Sequence, residues 1–329
     1  MNAKRASIIV PLYNDAASIS ACLDALFAQT CASACEIIVV DDGSTDDGPS
    51  RATAFPVRLI RQQNAGPAAA RNVGARVAEG EILIFLDADC IAPTEWVERM
   101  LIHFANEQIG AVTGAIRSAE PHLMARLIQM EIDERYIKLA QSSTIDFFAS
   151  VAVAIRRELF SHVGGFREDF RYNEDVELAY RLNAQAAKIV FFGDLRVAHY
   201  HPAGWKNYFW MKFWRGVWRM RLYKIFPQKA VSDSWTPQTL KFQTMAALAA
   251  FPALFLMPFY PSVGWVPVGL TLAILLSGSG FLTGALRSGG PLFVGYGSLF
   301  LLVRATALGA AVAWHTLTLR RWMGRAANA

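Results

Sequence analysis

"EIIVVDDGSTDDG", residues 36–48, is a short run of mostly β-branched residues that stops at two adjacent aspartates, Asp41 and Asp42. A turn cluster of Gly43, Ser44 and Thr45 follows, and then Asp46 and Asp47. The run is apolar throughout instead of alternating, as in a strand covered on both faces. In open α/β sheets, ligands sit beyond the carboxyl ends of the strands, and that is where these carboxylates and hydroxyls fall.

The flanking sequence repeats the pattern. "ASIIVPLY" (6–13) is an earlier strand, and "NDAASISACLDALFAQT" (14–30) sets Ile19, Cys22, Leu23 and Leu26 at helical spacing behind a polar cap. "VRLIRQ" (57–62) is a third strand, "GPAAARNVGARVAEG" (66–80) a helix and "EILIFLDAD" (81–89) a fourth strand. "TEWVERMLIHFA" (94–105) and "IGAVTGAI" (109–116) add another helix and strand. Apolar strands interleaved with amphipathic helices predict an α/β fold with a mostly parallel sheet covered on both faces. A long helix is expected over 123–140, a strand and a turn over 146–160, a loop and helix over 164–185, and one or two strands over 187–202.

Composition divides the chain. Of its 329 residues 53% are hydrophobic, and charges are frequent only as far as Lys241; from 242 to 319 there are two, Arg287 and Arg304. This predicts a soluble front, 1–203, attached to a membrane-like back. The opening "MNAKRASIIVPLYN" lacks the apolar core of a signal peptide, so the front is expected in the cytosol. The four cysteines, Cys22, Cys31, Cys35 and Cys90, show no CxxC or metal-type spacing and are read as reduced and structural.

Between Trp205 and Lys229 there are seven Lys/Arg, nine aromatics and no acid. A helical projection puts Lys212, Arg215 and Arg219 on one face and Trp210, Phe213, Trp214 and Val217 on the other. That predicts an interfacial helix over 204–230 with membrane lipids as its partner, and not a nucleic-acid groove, because membrane-length apolar runs follow directly. A span takes about 20 apolar residues, so 242–319 is read as two to three transmembrane helices. Three spans would put the basic tail, 320–329, outside, against the positive-inside tendency; two would keep it inside. Arg304 should face protein, water or a lipid phosphate.

Asp87 and Asp89 end the fourth strand. In an extended chain, side chains at i and i+2 point the same way, so the two carboxylates are expected to converge. A divalent cation, Mg²⁺ or Mn²⁺, would relieve their repulsion and supply charge for a diphosphate.

"IIVPLYN", "VVDDGSTDD", "NAGPAAARNVG", "FLDADC", "GGF" and "NEDVELAYRL" occur in that order. Together they resemble the nucleotide-sugar-dependent glycosyltransferases of family 2, which have the GT-A fold, over roughly residues 6–202; the apolar tail resembles that of membrane-attached members. The resemblance implies that Asp41 and Asp42 serve the donor base and ribose, with Pro11 and Tyr13 lining the same pocket. Arg71 would lie near the nucleotide, with Gly66 and Pro67 shaping the loop before it. Asp89 matches the metal-binding acid, and Asp87 would contact the ribose or support the metal through water. His199, in preference to His201, would join the metal or diphosphate site. Glu174 and Asp175 match the acceptor-side acids: Asp175 as the base of an inverting transfer, Glu174 positioning the acceptor. Neighbouring carboxylates favour a raised pKa. Gly164 and Gly165 would let backbone approach the acceptor, while Ala152 stands where many members carry asparagine.

The activity so implied is inverting transfer from a nucleoside diphosphate sugar, UDP being the commonest nucleotide, to a lipid-linked or cell-envelope glycan acceptor. The implied place is the inner or cytoplasmic membrane, multi-pass, with the catalytic domain in the cytosol. A polyprenyl-phosphate sugar synthase shares the same core. A processive synthase is disfavoured because "FWRGVWRM" lacks a QxxRW pattern, and the retained acids argue against a non-catalytic adaptor. A dinucleotide oxidoreductase is disfavoured because no GxGxxG follows the first strand.

Overall fold

The computed structural model describes residues 5–326, and the side chains of all of these but 254, 255 and 319–326. Two compact units divide the chain: Met1–Pro121 with Tyr136–His201, and His122–Arg135 with Pro202–Ala329.

The first unit begins β1 (Ala6–Leu12), α1 (Ile19–Phe27), β2 (Cys35–Asp41), α2 (Gly48–Ala52), β3 (Arg58–Arg61), α3 (Pro67–Val77), β4 (Ile82–Leu86), β5 (Cys90–Ile91) and α4 (Trp96–Ile102). It continues with β6 (Ile109–Ser118), the end of α5 (Leu123–Leu139), β7 (Ala152–Arg156), α6 (Arg157–His162), α7 (Glu174–Ala184) and β8 (Lys188–His199). The eight strands form one sheet in the order β3-β2-β1-β4-β7-β6-β8-β5. β7 pairs antiparallel with both β4 and β6, and β5 antiparallel with β8; the other pairs are parallel. The sheet is therefore mixed: two strands run against the other six.

Every residue of β4 is buried and nearly every residue of β1 and β2, as their unbroken apolar runs require. Helix α1 buries Ile19, Cys22, Leu23 and Leu26, the positions its periodicity marked. They join Ile8, Val10, Ile84 and Trp96 in one core, where each large apolar side chain contributes about 1.5–3 kcal/mol. In β1–β2, Leu12 stands opposite Asp41, so the loop after β1 lies level with the aspartates after β2.

The second unit holds α8 (Trp205–Ile225), α9 (Pro227–Val231), α10 (Gln238–Leu256), α11 (Trp265–Ser277) and α12 (Ser279–Ala326). α12 breaks at Gly289 and Gly290; Gly290 has φ +71°, a left-handed conformation that suits glycine, and Pro291 follows. Among the described residues one helix, Ser279–Thr318, is long and apolar enough to cross a membrane. Composition alone predicts two to three spans over 242–319. α11 has only 13 residues, about 20 Å at 1.5 Å per residue, and α10 has Pro252 inside its 19. The basic tail 320–329 lies outside the described side chains, and 327–329 outside the described residues.

The division of α8 into a basic and an aromatic face needs correction. Phe213 and Val217 are buried, Trp210 and Trp214 are exposed, and Lys212 is turned inward. Gly216 packs against α12, where a Cβ would come within 2.7 Å of Ala311 Cβ. Lys212 is drawn in by Glu131 of α5: its Nζ donates to both carboxylate oxygens, at 3.0 and 2.9 Å. Arg135 reaches the same carboxylate at 2.5 Å, Arg304 at 3.2 Å and the Tyr208 hydroxyl at 3.2 Å. Arg304 also donates to Gln243 Oε1 at 2.7 Å, so it faces protein. Burial works against the Glu131 charge, yet Lys212, Arg135 and Arg304 hold its carboxyl far below the usual range. This cluster explains why His122–Arg135 belongs by packing to the second unit, where the sequence reading put all of 1–203 in the front.

Candidate active site

The carboxyl ends of β1, β2 and β4 and the β5–β8 corner carry the polar groups. After β1, Asn14 adopts φ +54°, which asparagine tolerates better than most residues, and its Oδ1 accepts from the Thr45 N–H at 2.8 Å. Ser44 Oγ accepts from Asn14 N at 3.0 Å, and Asp46 Oδ2 from Ala16 N at 2.8 Å. The turn after β2 thus braces the turn after β1, which leaves Tyr13 half exposed beside Pro11.

Asp41 and Asp42 are both buried but do different work. Asp41 Oδ1 accepts from Ser44 N at 2.8 Å, while Oδ2 has Arg61 Nε 3.1 Å away as an ion pair without hydrogen-bond alignment. Both oxygens of Asp42 are taken by the loop before α3. Gln62 Nε2 and Ala65 N donate to Oδ1, at 2.7 and 2.8 Å, and Gly66 N to Oδ2 at 2.8 Å. Gly66 then caps α3 with φ +95° and Pro67 opens the helix, which sets the azimuth of Arg71 one turn on.

Arg71 is buried between two acids. One guanidinium nitrogen lies 2.6 Å from Asp87 Oδ1, the other 2.9 Å from Glu174 Oε1, and the plane lies 5.6 Å from the Phe166 ring centroid. Burial opposes the Arg71 charge, but Asp87 and then Glu174 outweigh it and raise its pKa. Burial pushes the Glu174 carboxyl up to about 7; Asp175 adds to the rise and Arg71 opposes it. Asp175, half buried beside it, accepts from Ser150 N at 3.3 Å.

The loop under these acids is held by two residues that the sequence reading did not single out. Asn72 accepts from Phe166 N at 2.9 Å and donates to Phe166 O at 2.8 Å. Arg181 forks onto Glu177 while donating to the Val163 and Gly165 carbonyls, at 2.5 and 2.6 Å. Gly165 has φ +71°, and a Cβ there would come within 2.7 Å of Asn72 Oδ1. Gly164, also at positive φ, has open space around it.

At the β5–β8 corner His199 Nε2 lies 3.4 Å from Asp89 Oδ2. One donor atom each of Asp89, Cys90 and His199 lie within 4.8 Å of one another. Asp87, by contrast, turns to Arg71. Burial raises the Asp89 pKa, with His199 opposing and Asp87 and Asp15 adding to it. Asp15, another residue the sequence reading missed, is raised by burial and then by Asp87 and Asp46. A carboxylate, an imidazole and a thiol within ligating reach, beside acids that repel one another, make a donor set that fits a divalent cation. His201 packs its ring 5.4 Å from that of His199.

With this geometry in hand, similarity to known proteins narrows the chemistry. Residues 7–164 match the model of Glycosyl transferase family 2. The chain is 30% identical over 210 residues to the glycosyltransferase AglE of Haloferax volcanii, covering 60% of this chain and 66% of that one. It is 29% identical over 206 residues to the pre-mycofactocin glycosyltransferase of Mycobacterium tuberculosis, covering 59% of this chain and 42% of that one. The matched region thus spans roughly two thirds of one relative and well under half of the other. Among solved structures, the mannosyltransferase PcManGT from Pyrobaculum calidifontis, in complex with GDP-Man and Mn²⁺, superposes with a TM-score of 0.60 at 21% identity. That likeness covers 95% of this chain and 87% of that one, and it speaks for the fold. Residues 7–164 are thus a glycosyl transferase family 2 domain, and the mixed sheet has its likeness among GT-A folds.

Proposed function

We propose that this glycosyltransferase is inverting and metal-assisted, and that it moves a sugar from a nucleoside diphosphate to a lipid-linked or cell-envelope glycan acceptor. The observation that carries the reading is the convergence of Asp87, Glu174 and Asp175 around Arg71, beside Asp89, Cys90 and His199. Asp41, Pro11 and Tyr13 flank the place for the donor base and ribose, and Asp42 fixes the loop that orients Arg71. Asp89 and His199 would hold a divalent cation, with Asp87 supporting the site from its pairing with Arg71. When bound, such a cation supplies positive charge to the departing diphosphate. Asp175 takes the proton from the acceptor hydroxyl, on the face opposite the leaving group. Glu174 orients the acceptor, with a pKa near 7 that lets it donate or accept a hydrogen bond.

The complex of PcManGT with GDP-Man and Mn²⁺ supports a nucleotide-sugar donor and a metal here as well. UDP is the nucleotide proposed, with GDP as the competitor to test. Membrane attachment is supported by Ser279–Thr318 and by Trp210 and Trp214, exposed on a helix that also presents Arg215. We place the front at the cytoplasmic membrane on the cytosolic side, with α10 and α11 as candidates for further membrane-embedded segments.

The test is turnover of a panel of UDP- and GDP-sugars by detergent-purified full chain, with Mn²⁺ or Mg²⁺ against EDTA. Asp89→Ala and Asp175→Asn run alongside, with membrane extract as acceptor source. Metal-dependent turnover of one donor, lost in both variants, is the expected result. No turnover of any donor with any metal would overturn the reading in favour of a non-catalytic adaptor.

A further inference from the structure

Its spacing marks Cys90 as a structural thiol, but its position in the sheet is unusual. β5 is only two residues long, and its ladder with β8 pairs Cys90 directly with His199 and Ile91 with Ala198. Residues directly opposite in an antiparallel pair project to the same face with Cβ atoms about 4.5–5.5 Å apart. The Cys90 N–H donates to Asp87 O at 3.1 Å, closing a turn around Ala88 and Asp89. Two short chain segments therefore deliver three different donor atoms to one point.

The separations can be checked against a coordination sphere. With metal–sulfur near 2.3 Å and metal–nitrogen or –oxygen near 2.0–2.1 Å, a tetrahedron has edges of about 3.3 Å between N and O and about 3.6 Å between S and O. The structure has 3.4 Å between His199 Nε2 and Asp89 Oδ2 and 3.8 Å between Cys90 Sγ and the other carboxylate oxygen, Oδ1, so a small turn of the Asp89 carboxylate would bring one oxygen into reach of both partners, and the three donors already lie within 4.8 Å of one another. The fourth vertex is left for water or a diphosphate oxygen.

We propose that Cys90 is a metal ligand, completing an Asp89–Cys90–His199 donor set that selects thiophilic cations such as Co²⁺, Zn²⁺ and Cd²⁺ over Mg²⁺. This deepens the metal-assisted reading above and rests on it. Mg²⁺ demands oxygen ligands in an octahedron, whereas sulfur and imidazole favour the later transition ions. On binding, the Cys90 S–H bond breaks, the proton passes to solvent, and the sulfur electron pair forms the bond to the cation. Burial pushes the free thiol's pKa well up, with the Asp87 and Asp89 charges adding to it, so without a cation Cys90 stays protonated and inert. The other buried thiol close by, Cys22, points at the Asp87 carbonyl at 3.7 Å and lies outside the donor set.

The experiment is titration of the detergent-purified full chain with Co²⁺ in the absence of nucleotide. It is read by visible ligand-field bands, by sulfur-to-cobalt charge transfer in the near ultraviolet, and by X-ray absorption at the cobalt edge. Expected are both sets of bands and one sulfur scatterer in the wild type. Cys90→Ser should lose the charge-transfer band and weaken Co²⁺ binding by about tenfold or more, about 1.4 kcal/mol per tenfold, while Cys22→Ser keeps the band. Ligand-field bands that depend on Asp89 but come without charge transfer or a sulfur scatterer would overturn the role of Cys90 and leave the metal reading standing. Absence of any bound Co²⁺ would overturn both. A band that survives Cys90→Ser and disappears in Cys22→Ser would also overturn it. Should Cys90→Ser fail to fold, the wild-type sulfur scatterer and the Cys22→Ser spectrum decide the matter.

Discussion

Arg71 and Glu174 stand 103 residues apart in the chain and 2.9 Å apart in the structure. The same guanidinium reaches Asp87 at 2.6 Å, so the end of β4 and the start of α7 are tied through one buried cation. Replacing it by an apolar residue of similar length leaves the buried Glu174 and the partly exposed Asp87 without their cation. Arg71→Met should cost about 3–5 kcal/mol in chemical denaturation of the full chain and abolish transfer. Arg71→Lys, a point charge in place of a fork, should recover part of the stability and little of the activity.

Glu174 supplies a pH signature. Its carboxyl titrates at 4.5 as a free group and at about 7 in the fold. Between those values the folded state holds a proton that the unfolded chain has released, so this contribution is complete below pH 4.5 and is lost as pH rises through 7. Glu174→Gln should remove that slope. From pH 4.5 to 8 the variant should gain on the wild type by on the order of 3 kcal/mol, read from denaturation midpoints across the range.

Asp42 is predicted to act through the loop it holds. Asp42→Ala removes the acceptor for three donors, two of them backbone N–H groups at Ala65 and Gly66. Hydrogen bonds to a charged acceptor contribute about 1.5–3 kcal/mol each, so the loss should be about 3 kcal/mol or more. Hydrogen exchange should show the Ala65 and Gly66 amides opening faster, while the amides of β1 exchange as before.

The strands and helices of the front were legible because each carries its own periodicity: an apolar run for β4, four buried positions at helical spacing for α1. The reading failed where position depends on a partner far off in sequence. Asp87 and Asp89 were expected to point together, which holds for an extended chain. β4 ends at Leu86, however, and the Asp87–Cys90 turn sends the two carboxylates to different partners. β5 has too few residues for any period, so the role of Cys90 was invisible. Lys212 looked like a headgroup contact because its acid, Glu131, lies 81 residues upstream.

Glu131 yields the last prediction. Glu131→Gln leaves Arg135, Lys212 and Arg304 facing one another, and the folded yield and thermal stability in detergent should fall by the equivalent of about 3–5 kcal/mol. Adding Lys212→Met to that variant should restore part of the loss, because it removes one of the repelling charges.

The order of Glu131 and Arg304 along the chain also bears on biogenesis. Translation delivers the acid on α5 and the cation on α8 before α10, α11 and the apolar helix leave the ribosome. When Arg304 emerges, the carboxylate that will neutralise it is already made. The buried arginine of that helix therefore meets partners that precede it in the chain, Glu131 and Gln243.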